Sequence, residues 1–403
     1  MKHLNVLIAA VCAVLSVGMT DCVTASNSGK KTEDTLPVKK ITLKEVSCVD
    51  AFSGITVEYV QTPGDAYAEI HASEEILPRV SVTQKGGCLK VGFQSGIGIP
   101  GNSGCKVKVY APEISDFSAS SAAIIMSDGL KSSKNVSLKA SEAGAVKIHS
   151  IQTKKELSAD VSGGAAVKVE YVECASPGTS SCSASEAGTI AFGEVKSSGN
   201  VSLKASEAGA IKIHSIQAKK DLSADVSEGA AVKVEYAECA SLGTSSCSAS
   251  NAGAIAFGEV KSSGNASLKA SEAGAVKIHS IQTKKDLLAD VSGSAAVKVE
   301  SAECASLDIN SHSAGACTIN DVICADEANV KASSSGAVKV VGKCRNAVYN
   351  ASAGGGIDAR ALDAEKVTAE SSSAGSIRCY AGKEAVVKES DGGSVKTREQ
   401  LEK

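Results

Sequence analysis

Three residue types recur in this 403-residue chain at spacings that invite a chemical role. His149, His214 and His279 each sit in the run Lys-Ile-His-Ser-Ile, and imidazoles serve as metal ligands and general bases. Asp160, Asp225 and Asp290 recur at the same interval, and clustered carboxylates bind Ca²⁺ or do acid–base work on glycosidic bonds. Twelve cysteines run from Cys48 to Cys379, with no CxxC pair and no Cys/His cluster at zinc-ligand spacing. What any of these can do depends on the elements that carry them.

Those elements repeat. Ser137–Val201 and Ser202–Ala266 agree at 56 of 65 positions, and Ser267 opens a third copy that decays after about Leu307. Within each copy lies a shorter unit: Ser141-Glu142-Ala143-Gly144-Ala145-Val146, then Ser162-Gly163-Gly164-Ala165-Ala166-Val167, then Ser185-Glu186-Ala187-Gly188-Thr189-Ile190. The apolar residue five places after the Ser recurs fourteen times from Ile125 to Val395, in steps of 18 to 23 residues, most of them 21. Val146 and Ile148 flank Lys147, which is strand spacing, and each strand follows a Ser/Ala/Gly corner that admits tight backbone geometry. No helical 3.6-residue period is sustained. The pattern predicts an all-β chain: a parallel β-helix of about 14 turns over 118–403, preceded by a β-rich cap over 46–117.

This architecture rules out the chemistry suggested first. Histidines 65 residues apart stand three turns apart, roughly 14 Å along the coil, so no two share a metal, and none has a carboxylate in its own segment. The same spacing separates the three aspartates. No nucleophile elbow, phosphate-binding loop or nucleotide fingerprint occurs, so no catalytic residue, metal site or cofactor is expected. A polysaccharide lyase or hydrolase, the enzymatic alternative for a β-helix, would need aromatic platforms, and the chain has only 5 Phe, 7 Tyr and no Trp. With 42 Lys+Arg against 45 Asp+Glu, it also lacks the positive field of a nucleic-acid binder.

Two columns remain of interest. Lys147, Lys168, Lys212, Lys233, Lys277 and Lys298 occupy the outward place beside the marker residue. They could form an anion-binding face for a glycan or surface polymer, or simply solubilise a strand face, with Glu170, Glu235 and Glu300 two residues on. Twelve residues after each Ser the residue is always small, from Ser132 and Thr153 through Cys174 and Cys239 to Cys304 and Cys324, with Cys344 one place early. Cys304, Cys324 and Cys344 fall on adjacent turns, as a buried thiol ladder or with one disulfide between two of them.

At the N-terminus, Met1-Lys2-His3 precedes an apolar run from Leu4 to Val17, the form of a secretory signal over 1–25 and too short for a membrane span. Val23-Thr24-Ala25 before Ser26 fits a cleavage site, and Cys22 offers lipidation as an alternative. A polar tether follows over 26–45, and no transmembrane span is expected in the mature chain.

The segments Val49-Asp50-Ala51-Phe52-Ser53-Gly54-Ile55-Thr56-Val57, Gly87-Cys88-Leu89-Lys90-Val91, Val107-Lys108-Val109-Tyr110-Ala111-Pro112 and Ser118-Ala119-Ser120-Ser121-Ala122 resemble, in this order, the head GIN domain family. The resemblance spans roughly residues 46 to 250. It implies a secreted protein of the kind common in Bacteroidetes and labelled an auto-transporter adhesin, with a β-rich start running into a parallel β-helix and no catalytic residue to carry over.

The expectation is thus an exported, non-enzymatic solenoid in the periplasm, on the outer-membrane surface or outside the cell. Its partner would be a surface glycan or envelope protein; a purely structural spacer is the other non-enzymatic alternative. Mass spectrometry of the exported chain checks the first step: Ser26 is the expected N-terminus, whereas a lipidated Cys22 would mark an anchored protein.

Overall fold

The computed structural model describes residues 36–94, 104–380 and 382–397. It is a parallel β-solenoid of about 13 turns. The count falls just short of fourteen because the last marker, Val395, opens a turn that the described residues do not complete. One 3-10 turn, Leu77–Arg79, is the sole helical element among the described residues.

The chain packs as two units, one of residues 36–199 with 208–213 and the other of 200–207 with 214–397. In the first unit, the coil is closed at its N-terminal side by antiparallel pairing. Val38–Thr42, which starts within the stretch read as a tether, pairs with Tyr67–His71, and that strand pairs with Lys106–Ala111. Val80–Lys85 likewise runs antiparallel to Cys88–Phe93. Beneath them, Cys48–Ala51 and Thr56–Gln61 make a rung that lies parallel to Cys88–Phe93 and Lys106–Ala111 on one edge and to Asp116–Ala119 and Ile124–Ser127 on the other. Tyr59 and Phe117 fill its interior with ring centroids 5.5 Å apart. The Tyr59 hydroxyl donates to the Ala111 carbonyl at 3.2 Å, and burial pushes its pKa up to about 12.

Each later rung has three short faces. In Ala145–Thr153, Val146 and Ile148 point inward, His149 and Ser150 both point outward, and Ile151 and Thr153 point inward again. That break in alternation is a corner. The strand Leu157–Val161 forms the third face, with Leu157, Ala159 and Val161 inside. Stacking is residue on like residue: Val146 on Val167 on Ile190 in the first unit. In the second, Val232, Ile255, Val276, Val297, Cys317, Val338, Ile357, Ile377 and Val395 form one unbroken buried column.

A second corner spans residues 154–156 between Thr153 and Leu157, and the third is a two-residue turn with positive φ at both central positions, Glu142 at 47° and Ala143 at 62°, closed by Gly144 N–H to the Ser141 carbonyl at 2.8 Å. The turn amides also stack between rungs, as Ala143 N–H donates to the Gly163 carbonyl at 3.0 Å. In these later rungs the fourth residue is alanine at Ala123, Ala165, Ala230 and Ala295 and glycine at the other corners, for a different reason. At Gly144, Gly188 and Gly274 a Cβ would collide with the carbonyl oxygens of Ala119, Val161 and Ala249 on the preceding rung.

These two positions should respond oppositely. Ala143→Gly relieves an L-residue in the left-handed region and should stabilise the fold by about 0.5–1 kcal/mol after the unfolded-state entropy is subtracted. Gly144→Ala forces the rungs apart and should cost about 2 kcal/mol or more. Midpoints of urea unfolding would show the two shifts with opposite sign.

Candidate functional site

The outward surface is built by the same stacking. Lys147 lies against Lys168, and Lys277 against Lys298, one rung apart. Ala191 follows Lys168 in this column, Ala256 separates Lys233 from Lys277, and Thr318 follows Lys298. The lysines therefore form paired steps separated by neutral rungs. Lys298 Nζ pairs with Glu300 at 2.6 Å and Lys233 Nζ with Glu235 at 3.7 Å, so the positive charge is partly offset within the face.

On the adjoining face, Tyr171 lies against Glu194 and Glu173 against Lys196. The Tyr171 hydroxyl is 3.3 Å from Glu173, Lys196 Nζ pairs with Glu194 at 3.0 Å, and the same ammonium sits 5.4 Å from the Tyr171 ring centroid. The cluster recurs as Tyr236, Glu238, Glu259 and Lys261, with the ammonium 5.6 Å from the ring. In the third copy Ser301 and Ile323 replace the tyrosine and the lysine. A further aromatic pair lies on the cap: Tyr67 and Tyr110 stack at 4.5 Å with Lys40 Nζ 3.7 Å from the Tyr67 centroid.

The histidines and aspartates find partners that a segment-by-segment reading misses. His149 Nδ1 is 2.9 Å from Glu170 and His214 Nδ1 is 2.7 Å from Glu235, so the carboxylate absent from each histidine's own segment arrives from the next rung. Residues 21 apart become neighbours in a parallel coil. By the same rule Asp160 lies between Lys139 and Ser183, Asp225 between Lys204 and Ser248, and Asp290 between Lys269 and Asn310. Among the described residues no three His, Cys, Asp or Glu side chains gather where a metal ion could be held.

The column of small residues points inward and is buried throughout, Ser132 on Thr153 on Cys174 on Ser197 in the first unit. Its members also fasten the corner that follows them, residues 154–156 after Thr153. Thr153 Oγ1 donates to the Lys134 carbonyl at 2.7 Å and accepts from Lys155 N–H, and Ser197 Oγ accepts from Gly199 N–H at 3.2 Å. Ser132 donates to Glu113 at 2.7 Å, and that bond, with further donors from Ser133, holds the Glu113 carboxyl below its usual range. Cysteine in this column replaces a hydroxyl: Cys324 Sγ reaches the carbonyls of Ala305 and Glu327 at 3.3 and 3.2 Å.

Cys304 and Cys324 are register partners, and Cys344 occupies the place after the Ile323–Lys343 pair. All three are buried free thiols. A hydrogen bond to the Cys324 sulfur, with burial, pushes the Cys304 thiol up, and the same bond holds Cys324 below the ordinary thiol value. Burial pushes Cys182, Cys247 and Cys317 up to about 12. The disulfide is elsewhere, between Cys48 and Cys88, register partners on parallel strands with Cα atoms 4.4 Å apart. The one sequence signal for it is that each cysteine opens an alternating apolar run. Cys22 lies outside the described residues.

The family model described as "Putative auto-transporter adhesin, head GIN domain" matches residues 46–235 and 288–399. The chain belongs to the head GIN domain family. Solved structures similar to this head GIN chain include a "putative adhesin" from Bacteroides fragilis NCTC 9343, at 16% identity, TM-score 0.34, covering 60% of this chain and 96% of that one. Another from Parabacteroides merdae ATCC 43184 has 15% identity and TM-score 0.30, covering 70% and 95%. A "putative lipid binding protein" from Parabacteroides distasonis ATCC 8503 has 10% identity and TM-score 0.24, covering 90% and 96%. No curated protein matches the chain. Among the described residues, no helix is long and apolar enough to cross a membrane.

The buried thiols should be silent in the folded head GIN protein. Nine of the ten free cysteines between Cys105 and Cys379 have raised pKa values and all ten, Cys324 included, are buried, so iodoacetamide should modify fewer than one of them in native buffer at pH 8 and all ten in guanidinium. Peptide mapping should find Cys324 the first to react.

Proposed function

We propose that this chain is an exported, non-enzymatic solenoid that binds anionic polymers of the cell surface through repeated, shallow contacts. The observation that carries this reading is the recurrence of the same outward groups at fixed register. Lysine pairs stand at Lys147/Lys168 and Lys277/Lys298, and the tyrosine–glutamate–lysine cluster occurs at both Tyr171 and Tyr236. A single exposed charge contact contributes less than about 1 kcal/mol, too little to hold a ligand alone. Repeated along one polymer, such contacts act at high effective concentration, and avidity replaces the missing deep pocket.

Export is supported by the apolar leader from Leu4 to Val17 and by the Cys48–Cys88 disulfide, a bond that persists in oxidising compartments. Membership in an adhesin family supports a binding rather than a catalytic role.

Biolayer interferometry with immobilised polygalacturonate, and with neutral dextran as control, tests the proposal. Binding to the anionic polymer alone is expected, falling steeply between 50 and 300 mM salt, and weakening at least tenfold in the double variant Lys168→Glu/Lys298→Glu. Equal binding to both polymers would remove the anionic ligand class. Release of shortened sugars from polygalacturonate would overturn the non-enzymatic reading.

A further inference from the structure

Among the strands of the last described turn, Ser394–Thr397 keeps Val395 buried, whereas Glu384–Glu389 is exposed along its whole length. One edge pairs in parallel with residues Lys366–Ser371, and among the described residues nothing pairs with the other. All six of its residues are exposed, including Val386 at 53% and Val387 at 44%. Ala385 and Val387 sit in register over Val367 and Ala369, which are buried, so they belong to the inward column and are bare because no further rung covers them.

Sheet edges in soluble proteins are usually blunted by charge, proline or a covering element. At the N-terminal side the outermost strands carry such protection, with Lys39 and Lys40 in Val38–Thr42 and Lys85 closing Val80–Lys85. Glu384–Glu389 has two adjacent valines at its centre and charges only toward its ends.

The order of those residues is self-complementary. In an antiparallel pair centred on Val386, Glu384 of one copy stands opposite Lys388 of the other, and Lys388 opposite Glu384. Ala385 meets Val387, and the reverse, on the face that continues the coil interior. Opposite residues of an antiparallel pair share a face, so inward columns meet inward columns and the outward Glu–Lys pairs remain outside. A shift of one residue would set Glu384 against Glu389 and turn the interior valine outward. Within one chain, Lys366 already pairs with Glu384 at 3.0 Å and Lys388 with Glu370 at 2.6 Å, so the extra contacts would extend an existing charge ladder.

We propose that the free edge of Glu384–Glu389 pairs antiparallel with the same strand of a second copy, forming a two-fold dimer about Val386. The contact is isologous and therefore closes at two chains. It is independent of the polymer-binding role, although it would double the number of repeated faces per particle.

Sedimentation velocity of the full chain, purified after export, provides the test, with far-UV spectra to verify folding. The wild type should dimerise. Glu384→Lys and Lys388→Glu should each weaken the dimer at least tenfold, and the double reversal Glu384→Lys/Lys388→Glu should restore it, although both intrachain pairs are then lost. Val386→Cys should yield a covalent dimer on mild oxidation, whereas Val38→Cys should not. A monomeric wild type, as expected if residues 398–403 cover the edge, would overturn the proposal. So would a series of higher polymers, a double reversal that stays dissociated, or Val386→Cys chains that fail to cross-link.

Discussion

A carbonyl oxygen of one rung occupies the place where a side chain would begin on the next. That contact, made at Gly144 with Ala119 and repeated at Gly188, Gly274 and the other glycines at this corner position, sets how closely those turns approach, while alanine takes the position at Ala123, Ala165, Ala230 and Ala295. Close approach keeps the parallel ladder at strand spacing and lets the turn amides stack, Ala143 on Gly163. The cost is borne by the two residues before the glycine, held at positive φ even where they are glutamate and alanine. Everything outside the corner follows from it: register is fixed, each column holds one kind of side chain, and each outward face becomes a ladder.

The interior shows how much room remains. Few aromatics are present, yet Phe192, Phe257 and Tyr349 are all buried inside the coil. Tyr349 is accommodated between Val330 and Ala369, a large ring offset by a small neighbour on the following rung. The corner column is stricter, because its side chains must be small enough to turn inward and polar enough to hold loop carbonyls and amides. Serine, threonine and cysteine meet both conditions, which accounts for five of the ten free cysteines, Cys174, Cys239, Cys304, Cys324 and Cys344.

Much of the coil could be read directly from the chain, since a corner of small residues, most often opening on serine and ending on glycine or alanine, marks each rung, and the fifth residue after its first falls in one column. What escaped reading were contacts between rungs whose partners are 20 or so residues apart. Glu170 beside His149, Glu235 beside His214 and the lysines flanking each aspartate all require the register to be applied to polar residues as well as apolar ones. The cap escaped for another reason. Its strands pair at irregular separations, antiparallel at Val38–Thr42 and parallel at Cys48 with Cys88, so no period marks the one as a strand or the other two as partners. The tyrosine–glutamate–lysine cluster lay between these cases: its residues are plain in the repeat, but only stacking brings Tyr171 and Lys196 together.

Each 65-residue copy spans three rungs, and it returns the chain to the same corner in the same phase. Gain or loss of a whole copy through unequal recombination would leave the antiparallel cap, the glycine contacts and every inward column intact. The gene thus carries a ready means of heritable length variation, in which daughter lineages differ in rung number without any new packing problem to solve. The decayed third copy, where Ser301 and Ile323 stand in place of the tyrosine and lysine, is what such a history leaves once an older duplicate drifts.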